Sequence, residues 1–169
     1  MTYGHRNSPF ATDCRGLTFA AHGKQKLFGW FGGPGLDGTG QFFGIPIPGF
    51  HPGRRYALMA GLAETVGGFL MALGLLTPVA TALVFSVMFV AVATVHIKKG
   101  FFVQNGGYEY NLVLAVSALT VTFTGPGSLS LDAFLGHCWS GTLRCVAALL
   151  AGVIGGVVSL NQRRPVPTP

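Results

Sequence analysis

The sequence predicts an all-α integral membrane protein: a bundle of four core transmembrane helices followed by a fifth, C-terminal helix. Of the 169 residues, 50% are hydrophobic and only 9% charged, whereas a soluble domain carries about 25% charged residues. So few charges would wet a soluble surface poorly, while a lipid-facing surface needs none. The apolar residues gather into runs at 56–76, 79–97, 109–125 and 142–160, close to the roughly 20 residues that cross a bilayer as a helix. The eleven Lys and Arg, behind a net charge of +6, fall mostly in pairs at the ends of these runs. Pairs at helix ends set the orientation of a membrane protein; nucleic-acid binding needs a continuous basic face and is set aside.

Residues 1–9 form a polar tail with no apolar core, so no cleavable signal peptide is expected. The first span, 10–31, is interrupted by Asp13, Arg15, His22, Lys24 and Lys26. Three placements stay open for it: insertion against its neighbours, a position at the interface, or a start that is truncated or altered. Residues 32–40 are rich in glycine and 45–52 in proline, which reads as an irregular surface loop. In the second span, 56–76, Ala57, Gly61, Thr65, Gly68 and Ala72 recur at spacings of three and four. Such a stripe of small residues lets another helix approach closely. Only Thr77 and Pro78 separate it from the third span, 79–97, so the two are expected to form a tight antiparallel hairpin.

The fourth span, 109–125, completes a bundle over 10–135. The additional helix within 136–160 repeats the small-residue device with Ala148, Gly152 and Gly156, and 161–169 is a polar tail. Arg54, Arg55, Lys98, Lys99, Arg163 and Arg164 fall at one end and Arg144 at the other, which makes the former end cytoplasmic by the positive-inside rule. Cys14, Cys138 and Cys145 lack metal-ligand spacing and read as small apolar fillers. Were Cys138 and Cys145 on one helix they would stand about 10 Å apart, beyond the reach of a disulfide.

An ionisable group inside the hydrocarbon layer requires a partner or water. Glu64 lies on the face of Gly61 and Gly68, about 12 Å below the boundary of its span at about 1.5 Å per residue. His22 reaches about 13 Å from the same side, so depth permits a Glu64–His22 pair. Lys26 lies one turn nearer that surface, His96 ends the third span and Glu109 begins the fourth. These five side chains converge on one half of the bundle. They form either a ligand-binding or proton-relaying pocket, or a structural salt-bridge network. Phe28, Trp30, Phe31, Phe101, Phe102, Tyr108 and Tyr110 read mainly as an interfacial aromatic belt, with a minority able to wall a flat ligand. The glycine run lacks a phosphate-binding lysine, and no metal site, haem or flavin motif or catalytic triad is recognisable.

Several short motifs taken in order resemble one family. They are His22-Gly23, the run from Lys26 to Phe31, Glu64 with Gly67-Gly68, Leu73-Gly74-Leu75 and Thr77. His96, Gly100-Phe101-Phe102, the run from Gly106 to Tyr110, Gly125-Pro126-Gly127 and Ser130-Leu131-Asp132 follow. The set resembles the DoxX family. That resemblance implies a small bacterial plasma-membrane protein with a core of four helices. It also implies a link to sulfur and redox metabolism: the related DoxD protein is a subunit of an archaeal thiosulfate:quinone oxidoreductase, and mycobacterial members are associated with a membrane oxidoreductase complex. The chain departs from the family pattern in its polar first residues and in the apolar run after Thr142.

The expectation is therefore a membrane component of a redox system, with His22, Lys26, Glu64, His96 and Glu109 around a site for quinone or another small apolar redox molecule. No covalently bound cofactor is expected, so electrons would come from a partner subunit, soluble redox proteins are candidate partners, and any enzymatic role would be that of an oxidoreductase subunit. A non-enzymatic scaffold that anchors redox enzymes through loops 32–55 and 98–109 is the alternative. Small-molecule transport is a weaker third, since the chain is short and has no internal repeat. Besides the lipid bilayer and these partners, self-association is left open.

Overall fold

The computed structural model describes residues 9–44 and 50–163, with side chains from Cys14 onward. Most of both polar tails, Arg164, and residues 45–49 of the proline-rich stretch lie outside the described residues. The protein is a helical membrane bundle. Its helices are α1 (Pro9–Phe28), α2 (Gly35–Gly44), α3 (Gly53–Leu73), α4 (Thr77–Ala91), α5 (Glu109–Thr124), the short α6 (Leu131–Phe134) and α7 (Thr142–Asn161). Past Ala91, α4 continues through a π turn, Val92–His96, and a 3-10 turn, Ile97–Lys99. Among the described residues, Gly53–Leu73, Thr77–Lys99 and Thr142–Asn161 are long and apolar enough to cross a membrane, and Glu109–Thr124 is a shorter apolar helix.

Helix α1 lacks that apolar character, yet it packs along most of α3, antiparallel to it. A Cβ at Gly16 would run into the Ala72 backbone, one at Gly23 into Thr65, and one at Gly68 into the Ala20 backbone. The small-residue stripe of α3 thus receives α1, and α3 fixes the depth of a helix too polar to insert alone. Phe19, Met71, Val84, Met88 and Leu114 form the apolar centre where α1, α3, α4 and α5 meet. Between α4 and α5, Thr122 donates to Thr81 Oγ1 (2.7 Å), which donates to the Ala118 carbonyl (3.1 Å). Helix α7 lies outside this group, parallel to α4, with Gly152 against Phe85 and Gly156 against Phe89.

Three expectations need correction. Part of the glycine-rich segment is a helix, α2, instead of an irregular loop. Each glycine costs a helix about 1 kcal/mol, but Thr39 and Gly40 are buried here and a Cβ at Gly40 would fall 2.9 Å from the Arg54 backbone. Close packing on the start of α3 outweighs the local preference.

Thr77 and Pro78 do not form the hairpin connection; they open α4, with Pro78 in the first turn where its missing N–H is harmless. The connection is Gly74–Leu76. Gly74, left-handed at φ 58°, donates to the Met71 carbonyl, and Leu75 donates to Leu70, closing α3.

Cysteine supplies the third correction: Cys14 and Cys138 are exposed and Cys145 half-buried, and Cys138 precedes α7. They are not buried fillers.

Asp132, fully buried, holds the end of the bundle opposite the paired basic residues. It accepts from Leu76 N (2.9 Å), Thr77 N (3.1 Å) and Thr77 Oγ1 (2.9 Å), supplying the N-terminus of α4 with acceptors and fixing Leu76 at its left-handed φ of 48°. Asp132→Ala is expected to cost about 2–3 kcal/mol, as loss of buried hydrogen bonds to a charged group does. Thermal unfolding in detergent checks this against Leu129→Ala, a change at an exposed position expected to be neutral.

Candidate functional site: a polar pocket at the basic end

The antiparallel turns of the bundle bring Arg54, Arg55, Lys98, Lys99 and Arg163 to one end, with Arg144 at the other. There, Tyr56 at the start of α3 donates to the Gln162 carbonyl after α7 (2.8 Å) and packs with Phe50 against Val90, Val95 and Leu160. At this end lies a cavity of about 1010 Å³, walled by aliphatic and aromatic side chains and bordered by His22, Lys26, Glu64, His96, Tyr110 and Asn111.

Glu64 is 2% exposed and pairs with Lys26, whose Nζ donates to Oε2 at 2.5 Å. Gly61 makes the pair possible. A Cβ there would fall 2.6 Å from Leu27 and 3.4 Å from Lys26 Cβ, so the glycine clears the path of the lysine stem one turn from the carboxylate. The partner is Lys26 and not His22, because α1 crosses α3 with Gly23 against Thr65 and a four-carbon stem spans the remaining turn.

His22 is engaged elsewhere. Gln25 Nε2 donates to the Phe31 carbonyl (3.4 Å), which turns Gln25 Oε1 towards His22 Nδ1 (3.1 Å). Nδ1 therefore carries the proton, and Nε2 accepts from the Tyr110 hydroxyl (3.3 Å). Lys24, another cation of α1, stands 4.4 Å over the Trp30 ring, away from the pocket.

His96 closes the π turn of α4, a local widening that occurs often at functional sites. Its Nδ1 donates to the Gly106 carbonyl (2.6 Å), which leaves Nε2 as the ring nitrogen available to a ligand.

Glu109 is not at the pocket. Its carboxylate accepts from Val103 N (3.0 Å), where it ties down the turn between α4 and α5. Four of the five expected side chains thus border one cavity and the fifth supports its rim. Sequence reading missed three others. Tyr110 was grouped with the belt aromatics, although its polar tip is suited to an intramembrane partner. Gln25 and Asn111 are amides within helices; Asn111 Nδ2 lies 3.4 Å from Met88 Sδ. Among the described residues no three or more His, Cys, Asp or Glu side chains gather in a way that would hold a metal ion.

Fold and site together define a helical membrane protein with a buried ion pair and two histidines around one pocket. Residues 14–97 match the DoxX family model, and the chain belongs to the DoxX family. The match contains His22, Lys26, Glu64 and His96 but stops short of Tyr110, Asn111 and α7, whereas the motif resemblance runs on to Asp132. No curated protein and no solved structure matches the chain.

Breaking a buried pair strands the surviving charge. Lys26→Met is expected to destabilise the protein by about 3 kcal/mol, the low end for such a change because the lysine is partly exposed. Lys26→Met with Glu64→Gln should regain most of that loss. Thermal unfolding of both variants in one detergent checks the coupling; a double mutant no better than Lys26→Met would show that Glu64 does not depend on this partner.

Proposed function

We propose that this protein is a membrane component of a redox system whose pocket binds a quinone, in a bacterial plasma membrane with its basic end facing the cytoplasm. The observation that carries the reading is the cavity itself: largely apolar walls, aliphatic and aromatic, with a few hydrogen-bonding groups set among them. An apolar pocket with a few placed polar groups is how proteins bind flat apolar ligands. Membership in a family linked to redox and quinone-related systems supports it, and the distribution of Lys and Arg supports the orientation.

A quinone head offers two carbonyl oxygens as acceptors. Lys26 carries N–H donors at the pocket beyond the one given to Glu64, the Tyr110 hydroxyl holds its proton between His22 and the pocket, and His96 Nε2 is a ring nitrogen open to a ligand. Reduction of a quinone to a quinol takes up two electrons and two protons. In this reading a soluble redox partner supplies the electrons, while the His and Lys–Glu groups hold and pass protons beside the carbonyls. The scaffold reading draws support from Phe28, Trp30, Phe31 and Phe102, exposed near the basic end as contact residues would be.

Titrating the purified protein with a tailless benzoquinone, beside folded Glu64→Gln and Tyr110→Phe variants, tests the proposal. Saturable binding weakened at least tenfold in both variants is the expected result. No binding by any of them would remove the quinone reading and leave the scaffold, for which co-purification from native membranes is the test.

A further inference from the structure

The pocket is not closed on all sides. Helices α3 and α7 both pack on α4 but scarcely on one another. The cavity is lined on both sides of that gap, by Leu62 and Val66 of α3, Leu83 and Val87 of α4, and Gly155 and Val158 of α7. Leu62, Val66 and Val158 border the cavity and yet remain 46%, 46% and 48% exposed. With so little contact between α3 and α7, this part of the lining is an opening and not a closed wall. Since, among the described residues, α3, the α4 segment and α7 are long and apolar enough to cross a membrane, that opening faces acyl chains and not water.

The dimensions exceed what a ring-shaped head needs. Cavity-lining residues of the α4 segment run from Leu83 to Lys99, about 24 Å at about 1.5 Å per residue. The volume of about 1010 Å³ is at the top of the range for sites that enclose a whole drug-sized molecule, about 300–1,000 Å³. Polarity differs across the cavity: Lys26, Glu64, His96 and Tyr110 reach it from α1, α3, the end of the α4 segment and α5, whereas Leu62, Val66, Leu83 and Val158, beside the gap between α3 and α7, are aliphatic. A polar site continued by an apolar cleft that opens into the bilayer suits a two-part ligand.

We propose that the pocket takes a tailed amphiphile, loaded sideways from the bilayer through the cleft between α3 and α7, with its aliphatic tail held along α7. The choice of a quinone as head rests on the reading given above; the cleft and the tail do not. One consequence is that α7, outside the matched segment 14–97, sets the ligand preference of a pocket whose His22, Lys26, Glu64 and His96 come from within it. Gly155 and Ser86, stacked between α7 and α4, keep the floor of the cleft low.

The test compares a tailless benzoquinone with its decyl-tailed analogue on the full chain in nanodiscs. The tailed compound is expected to bind at least tenfold more tightly. Val158→Trp, at a half-exposed position where added bulk enters the cleft, should remove that advantage and leave the affinity for the tailless compound unchanged. Ile154→Trp, on the exposed outer face of α7 and away from the cavity, should preserve it and exclude simple partitioning into lipid. Equal affinities for the two quinones, or a Val158→Trp variant that weakens both alike, would overturn the proposal.

If neither quinone binds, the quinone head is wrong, and the cleft is judged by fluorescence in vesicles of brominated-chain lipid after subtracting the signal of the unmodified protein. Quenching of the tryptophan placed at position 158 would uphold an opening to the acyl chains. Its absence would refute one.

Discussion

The closeness of α1 to α3 decides almost everything about the pocket. Helix α1 carries cations that a bilayer would reject, so its place in the protein depends on contacts that α3 supplies. Gly16, Gly23, Gly61 and Gly68 let the two backbones approach where side chains would hold them apart. Only at that separation does the Lys26 stem pass Gly61 and reach Glu64. The glycines thus bring in the lysine, the lysine makes the buried carboxylate tolerable, and the carboxylate ties the polar helix to its apolar neighbour.

This dependence gives the ion pair two roles that are not in competition. A buried pair is weak evidence for net stability, since desolvation offsets much of the attraction. Its position is what matters. Placed at the border of a cavity, with His22–Tyr110 and His96 around the same space, the pair adds charge and proton-holding capacity to a wall that is largely apolar. The opposite end of the bundle is organised differently. There the buried carboxylate of Asp132 meets backbone N–H groups and a hydroxyl, and what it stabilises is the turn into α4.

Helix α7 shows how an element outside the matched family segment alters a pocket without bringing an ionisable group to it. Its glycines seat it on Phe85 and Phe89 of α4, and that seating leaves a gap towards α3. His22, Lys26, Glu64 and His96 come from α1, α3 and the end of the α4 segment, while one wall of the cleft comes from the added helix.

The sequence by itself determined the class of protein, the apolar spans, the small-residue stripes and the gathering of His22, Lys26, Glu64 and His96 at one end. All of these follow from composition and helical spacing, which are local properties of the chain. It did not determine partners. Whether Glu64 meets His22 or Lys26 depends on how two helices cross, and a difference of one turn lies below what depth along an axis can resolve. Nor did it reveal that 35–44 is helical, because glycine content predicts a loop and only packing against α3 reverses it. Tyr110, Gln25 and the cleft beside α7 were invisible for the same reason: each exists only where separate helices meet, and that meeting is set by side-chain fit across the bundle, not by any segment alone.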